Sequence, residues 1–227
     1  VYPRPSIAII ATGDELVEPS SKPTAAQIRN SNAYSLAAHV QQAGGIPSYL
    51  GIGPDSPREL TELVRAAVNE HDMLILSGGV SMGDFDYVPD AIRGAGGTIL
   101  FDRVALKPGK PTTFALSGKT PIFGLPGNPV STFVAFELLV NPAICTMMGK
   151  AHTPKTKKML LATTISRRRS ERQEFLPVNL NHRGEVMVVD YRGSAHFSAL
   201  AKATGLISLP VGTTVLEEGE LVSVRLL

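Results

Sequence analysis

The sequence predicts an α/β domain, a mostly parallel sheet with helices on both faces, followed by a small all-β barrel or sandwich domain. Three observations carry this expectation. Continuous apolar runs alternate with helical stripes up to Lys150, and from Met159 onward the chain turns to short alternating stretches broken by tight turns. The loops that follow the apolar runs are rich in glycine, proline and charge. The division is expected to separate residues 1–150 from 151–227.

Each element has its own signal. Ile7 to Ala11 reads as a buried strand that stops at Thr12-Gly13-Asp14-Glu15. After Asn30-Ser31, the residues Ala33, Leu36, Ala37 and Val40 recur at helical spacing, and Gly44-Gly45 supplies the cap. A strand is expected near Tyr49 to Ile52. Ser56-Pro57-Arg58-Glu59 is a capping box with proline at the first helical position, and Leu60, Leu63, Val64 and Ala67 form the stripe of that helix. Met73 to Leu76 predicts a third strand, Val88 to Arg93 a short helix, and Thr98 to Phe101 another strand. Asn128 is placed to cap a helix beginning at Pro129. Repeated strand–helix–strand units favour a parallel sheet covered on both faces. In the second part Phe175 to Leu180, Val186 to Val189 and Leu221 to Leu226 read as strands, turned at Asn181-His182-Arg183-Gly184 and at Glu218-Gly219-Glu220.

Composition narrows the function classes. The 227 residues are 43% hydrophobic and 19% charged, as in a globular protein. No run of about 18 apolar residues and no charged-then-apolar leader occur, so neither a membrane nor a secreted protein is expected. The single Cys145 cannot form an internal disulfide, which fits a reducing cytoplasm. A formal charge of +2 is too small to imply nucleic acid. Arg167-Arg168-Arg169 with Arg172 reads as a solvated hairpin tip in preference to an anion site. His39, His71, His152, His182 and His196 show no ligand spacing and read as surface or packing residues.

In an open parallel sheet, ligands bind beyond the carboxyl ends of the strands. Thr12, Gly13, Asp14 and Glu15 follow the first strand, and Asp55 follows the second. Ser77-Gly78-Gly79-Val80-Ser81-Met82-Gly83-Asp84-Phe85-Asp86 follows the third. Its small residues let backbone amides approach an anion closely, and its carboxylates serve a metal or a hydroxyl, a mixture that points to a phosphorylated ligand. Lys107-Pro108-Gly109-Lys110-Pro111 holds two ammonium groups on a stiff turn, suited to phosphate or oxyanion charge. Gly124-Leu125-Pro126-Gly127-Asn128-Pro129 leads into a helix whose free amides point to the same rim. Taken singly, these are polar turns and a capping aspartate. Taken together, three separated acids and two lysines on one crevice exceed what turns require.

At these loops the sequence resembles the MoeA and gephyrin E-domain family, the molybdopterin molybdenumtransferases. Thr12 to Leu16, Asn30-Ser31-Asn32, Gly78 to Tyr87, Leu106 to Pro111 and Gly124 to Pro129 match that family's motifs in order and spacing. The Gly-Gly-Val-Ser loop is shared more loosely with MogA-like adenylyltransferases and competence-damage proteins, while Lys-Pro-Gly-Lys-Pro and the β-rich tail favour the MoeA branch. The resemblance implies a MogA-like, molybdopterin-binding domain. It also implies a reaction in which adenylylated molybdopterin is bound, molybdate is inserted at the dithiolene, and AMP is released with help from a divalent cation such as Mg²⁺.

On that likeness Asp55, Asp86, Glu15 and Lys107 are the catalytic candidates, and Glu15, Asp55 and Asp86 the metal ligands. Substrate contacts fall to Thr12, Gly13, Asp14, Ser77, Gly78, Gly79, Ser81, Gly83 and Arg103. Further contacts are Lys107, Gly109, Lys110, Pro126, Gly127, Asn128 and Pro129, with Ser194 and Ser198 from the second domain. Two departures stand out. Leu176-Pro177 follows Phe175 where the family commonly places an arginine two residues on, so one anion contact is missing or passes to Arg172. Family members also carry two further domains before the strand that here begins at Ser6, which implies a fragment of a longer, homodimeric protein. The alternatives are a binding-only module for molybdopterin or a nucleotide, and a gephyrin-like scaffold.

Overall fold

The protein is described by a computed structural model covering residues 2–54, 56–80, 87–189 and 200–227. In chain order its elements are β1 (Ser6–Ala11), β2 (Leu16–Val17), β3 (Ile28–Arg29), α1 (Asn32–Ala43), β4 (Ile46–Ile52), α2 (Pro57–Glu70) and β5 (Met73–Ser77). Then come α3 (Val88–Gly94), β6 (Thr98–Phe101), β7 (Leu106–Lys107), β8 (Thr113–Ser117), β9 (Thr120–Leu125), α4 (Pro129–Ala135), a π-helical turn (Phe136–Val140) and α5 (Asn141–Met147). The remainder is β10 (Thr156–Leu160), β11 (Ile165–Ser166), β12 (Gln173–Leu180), β13 (Val186–Val188), β14 (Gly205–Leu209), β15 (Val215–Leu216) and β16 (Leu221–Leu226). Contacts group these into two units, Val1–Val104 with Pro111–His152, and Ala105–Lys110 with Thr153–Leu227.

The first unit is built on a sheet of order β4-β1-β5-β9-β8-β6. β4, β1, β5 and β9 pair in parallel, whereas β8 runs antiparallel to both β9 and β6. Ile7 to Ala11 and Met73 to Leu76 are fully buried, as expected of central strands covered on both faces. Alternation divides them between two apolar layers. Ile7, Ile9, Met73 and Ile75 join Leu36 and Val40 of α1 and Phe136, Val140 and Ile144 of the last helical run. Ala8, Ile10, Leu74 and Leu76 join Leu60 and Val64 of α2 and Ala91 and Ile92 of α3. The Ser56 hydroxyl accepts from the Glu59 amide at 3.4 Å, which is one of the two bonds of the predicted capping box.

The run Pro129–Met147 is apolar enough by composition to cross a bilayer, at a mean hydropathy of 1.5. A count of consecutive apolar residues misses this because Glu137, Asn141 and Pro142 interrupt the run. Ala135, Phe136, Val140 and Ile144 are buried in the same cluster as β1 and β5, so the run is a core helix of this unit. Pro142 offers no amide to the preceding turn, and the helix widens into a π turn just before it.

The second unit carries the antiparallel order β10-β16-β14-β12-β13, with a separate β11–β15 ladder. Leu161, Val178, Val186, Ile207, Leu209 and Val224 form its core. β7 adds to this sheet, pairing in parallel with β12 through Leu106 with Gln173 and Lys107 with Glu174. The sequence placed Lys107–Pro111 with the loops of the α/β domain; Lys107 instead belongs to β7, a strand of the β unit.

Candidate functional site

In the first unit β1, β4, β5 and β9 end on one side of the sheet, and β6, antiparallel to β8, ends on that side too. Thr12 to Glu15, Gly53-Pro54, Ser77 to Val80, Asp102-Arg103 and Pro126 to Pro129 therefore follow strand ends on a common rim. Asp55, Ser81, Gly83 and Asp86 lie outside the described residues, as do Ser194 and Ser198 of the second unit.

The loops on this rim are tied to one another. The Thr12 amide donates to the Ser77 carbonyl at 2.9 Å, and the Gly78 amide donates to the Leu125 carbonyl at 3.0 Å. These bonds hold the loops after β1, β5 and β9 at one level. Gly78 has φ +98°, and a Cβ there would collide with the Thr12 carbonyl oxygen. A Cβ on Gly79 would meet the Thr12 hydroxyl and Val88, both at 2.9 Å. Glycine is thus required by close approach of backbone to backbone.

Asn32, at the start of α1, links the loops through its side chain. Its Nδ2 donates to Ser77 Oγ at 3.0 Å, to the Gly127 carbonyl at 2.7 Å and to Thr132 Oγ1 at 3.3 Å. Asn128 occupies the N-cap of α4 with Pro129 following, and its carbonyl accepts from the Thr132 amide at 2.9 Å. Asn32 lies in a motif the sequence shows but is not among the expected contacts, because its three acceptors come from distant parts of the chain. Thr113, which pairs with Gly124 at the start of β8, is a second addition. Its Oγ1 is buried and has no hydrogen-bond partner among the described residues, an unmet donor at the rim.

Asp14 and Glu15 are exposed. The Glu15 carboxylate folds back over Gly13, where an added Cβ would lie 2.6 Å from Oε2. Behind it, the segment between β2 and β3 is pinned by Glu18, which accepts from Tyr49 at 2.6 Å and Tyr34 at 2.8 Å. Burial, followed by the Glu18 hydrogen bond, pushes the Tyr49 hydroxyl far above its ordinary value; the Glu18 bond also raises Tyr34. Asn30 completes this anchor, donating to the Tyr49 hydroxyl at 2.7 Å and accepting from the Ala33 amide at 3.2 Å. Among the described residues no group of three histidine, cysteine or acidic side chains could hold a metal ion. Arg103 is about half exposed, with its Nε 3.9 Å from the Asp102 carboxylate.

In the second unit Lys107 Nζ lies 2.8 Å from Glu174 Oε1, and Arg167 lies 3.4 Å from Glu174 Oε2. Pro108 and Gly109 are buried, and Lys110 is exposed. The solvated-tip expectation is wrong for Arg167, whose side chain is only 6% exposed. Its guanidinium donates to the carbonyls of Thr213 at 2.7 Å and Arg172 at 2.8 Å, and to that of Pro210. Three carbonyls and a carboxylate replace its water. Pro177, at the family's arginine position, is buried in β12, while Arg172 donates to the Leu106 carbonyl at 3.2 Å.

Residues 8–146 match the family described as a probable molybdopterin binding domain. Residues 161–227 match the MoeA C-terminal region, domain IV. The chain is 35% identical over 226 residues to a molybdopterin molybdenumtransferase of Staphylococcus epidermidis, covering 98% of this chain and 54% of that protein. A molybdopterin molybdenumtransferase of Nostoc sp. is 36% identical over 229 residues, with 97% and 52% covered. The crystal structure of a molybdopterin biosynthesis MoeA protein from Pyrococcus horikosii superposes with a TM-score of 0.86 at 31% identity, over 98% of this chain and 54% of that one. This chain spans about half the length of the curated relatives it matches.

Proposed function

This chain belongs to the family of probable molybdopterin binding domains, and on that premise we propose that it acts in molybdenum cofactor biosynthesis as part of a molybdopterin molybdenumtransferase. Adenylylated molybdopterin binds, molybdate enters at the dithiolene and AMP leaves. The observation that carries the proposal is the rim on which the Thr12, Ser77–Gly78 and Pro126–Pro129 segments are bonded together, with Gly78 packed on the Thr12 backbone.

The small residues Gly13, Ser77, Gly78, Gly79, Ser81, Gly83 and Gly127 give a phosphorylated ligand access to backbone amides, while Thr12, Asp14, Asn128 and the two prolines Pro126 and Pro129 shape its seat. Thr113 Oγ1 is a donor in search of an acceptor on the same rim. Arg103 carries positive charge for phosphate or molybdate, as do Lys107 and Lys110 on the turn stiffened by Pro108 and opened by Gly109. Ser194 and Ser198 are assigned further contacts. Glu15, Asp55 and Asp86 are assigned to Mg²⁺, which when bound neutralises phosphate charge as AMP departs. The described acids of this rim, Asp14, Glu15 and Asp102, do not form a metal-holding group by themselves. The protein is taken to work as a homodimer in the cytoplasm.

Asp86→Asn and Lys107→Ala test the assignment. Each is expected to weaken molybdopterin binding by about tenfold or more, as loss of a charge-assisted contact does, with little change in melting temperature. Equal loss of fold and binding in both variants would count against a site role.

A further inference from the structure

A cavity of about 230 Å³ opens in the second unit, lined by Lys107, Arg167, Arg168, Arg169, Glu171 and Arg172. Glu174 is also at hand, engaged by Lys107 and Arg167. Five cations against two carboxylates leave a formal excess of three positive charges at one small cavity. Like charges gathered at one cavity repel one another, the more so where they are closer than the screening length of about 8 Å. Folding nevertheless holds several of them in place. Arg167 is bound by three carbonyls and Glu174, Arg172 by the Leu106 carbonyl, and Lys107 by Glu174 while 48% of its side chain stays exposed. Arg168 and Arg169 are exposed beside them.

We propose that this cavity is a binding site for a doubly charged phosphoryl group, with Arg168, Arg169 and Arg172 donating to its oxygens. Arg167 acts as a positioning residue: it ties the Arg167–Arg172 turn to the segments at Pro210 and Thr213 and thereby fixes the cavity wall. Three guanidinium forks match the oxygens of a phosphate better than a lone ammonium does. The volume admits the phosphoryl group together with several waters, each needing about 30 Å³. An excess of only three charges, gathered in a cavity and not along a stripe, fits a small anion and not a nucleic acid backbone. The site takes its ligand by charge and geometry alone, so it goes beyond the molybdopterin reading and does not depend on it.

The test is calorimetric titration of this chain, at fixed ionic strength in chloride, with inorganic phosphate, AMP and pyrophosphate in turn. The same titrations use the double variant R168Q/R169Q, whose exposed positions leave the melting temperature unchanged. Saturable binding is expected, tightest for pyrophosphate and weakened about tenfold or more in the double variant. Binding of AMP over inorganic phosphate that is lost in the double variant would identify an ester as the source of the group, and the reverse order, lost likewise, would identify free phosphate. Absence of saturation in all three titrations, or a double variant that binds pyrophosphate as tightly as the parent chain, would overturn the proposal.

Discussion

Gly78→Ala probes how tightly the rim is built. Gly78 sits at φ +98°, and its new methyl group would strike the Thr12 carbonyl and lie 3.2 Å from the Thr12 hydroxyl. The carbonyl has little room to yield, because the Thr12 amide is bonded to Ser77 at 2.9 Å and Gly78 itself to Leu125 at 3.0 Å. Gly118, in the turn between β8 and β9, is the matched control: φ is +58° and an added Cβ meets nothing within 4 Å. Gly118→Ala should cost about 1 kcal/mol, from the left-handed backbone alone. Gly78→Ala combines strain with overpacking against backbone, for about 3–5 kcal/mol. At roughly 2–4 °C per kcal/mol for a chain of this size, melting should fall by about 2–4 °C for the control and about 6–20 °C at Gly78. Thermal denaturation followed by circular dichroism reads the difference. Two variants that melt together would refute the claim that close approach to Thr12 demands glycine.

Two further expectations concern charge. Glu174→Gln leaves Arg167, 6% exposed, without its carboxylate, and should destabilise the chain by about 3 kcal/mol in urea denaturation; the half-exposed Lys107 adds little. A loss too small to measure would mean that the three carbonyls suffice for Arg167. His39, packed against Phe133 and Phe136, has its pKa lowered from 6.5 by burial, with Glu137 opposing. The folded state then binds fewer protons than the unfolded state just below that value, so this contribution is present above 6.5 and is lost as pH falls toward the lowered pKa. Urea midpoints at about pH 7.5 and about pH 5.5 should separate more in the parent than in His39→Gln, and an equal separation would contradict the assignment.

What could be read from the residues depended on how local the signal was. β1, β5, α2 and its Ser56 cap were legible because each announces itself through apolar period or cap chemistry within a dozen residues. The β8–β9 hairpin was not, since Pro121, Gly124 and the Ser117–Thr120 turn punctuate it like a loop. β7 could not be foreseen: two residues make a strand only because β12, some 66 positions on, offers its edge. The same holds for Arg167, whose burial depends on carbonyls more than 40 positions away at Pro210 and Thr213. The rim glycines were legible as a site because close approach leaves a mark in composition. The side chain that ties the rim together, Asn32, was not, because its acceptors at Gly127 and Thr132 are about 100 residues away.

The most direct measurement is calorimetric titration of this chain with adenylylated molybdopterin in the presence of Mg²⁺, followed by assay of released AMP once molybdate is added. Saturable binding that Gly78→Ala and Lys107→Ala both weaken is expected, with AMP release dependent on molybdate. Failure to bind the pterin in a chain that melts cooperatively would contradict the proposed function.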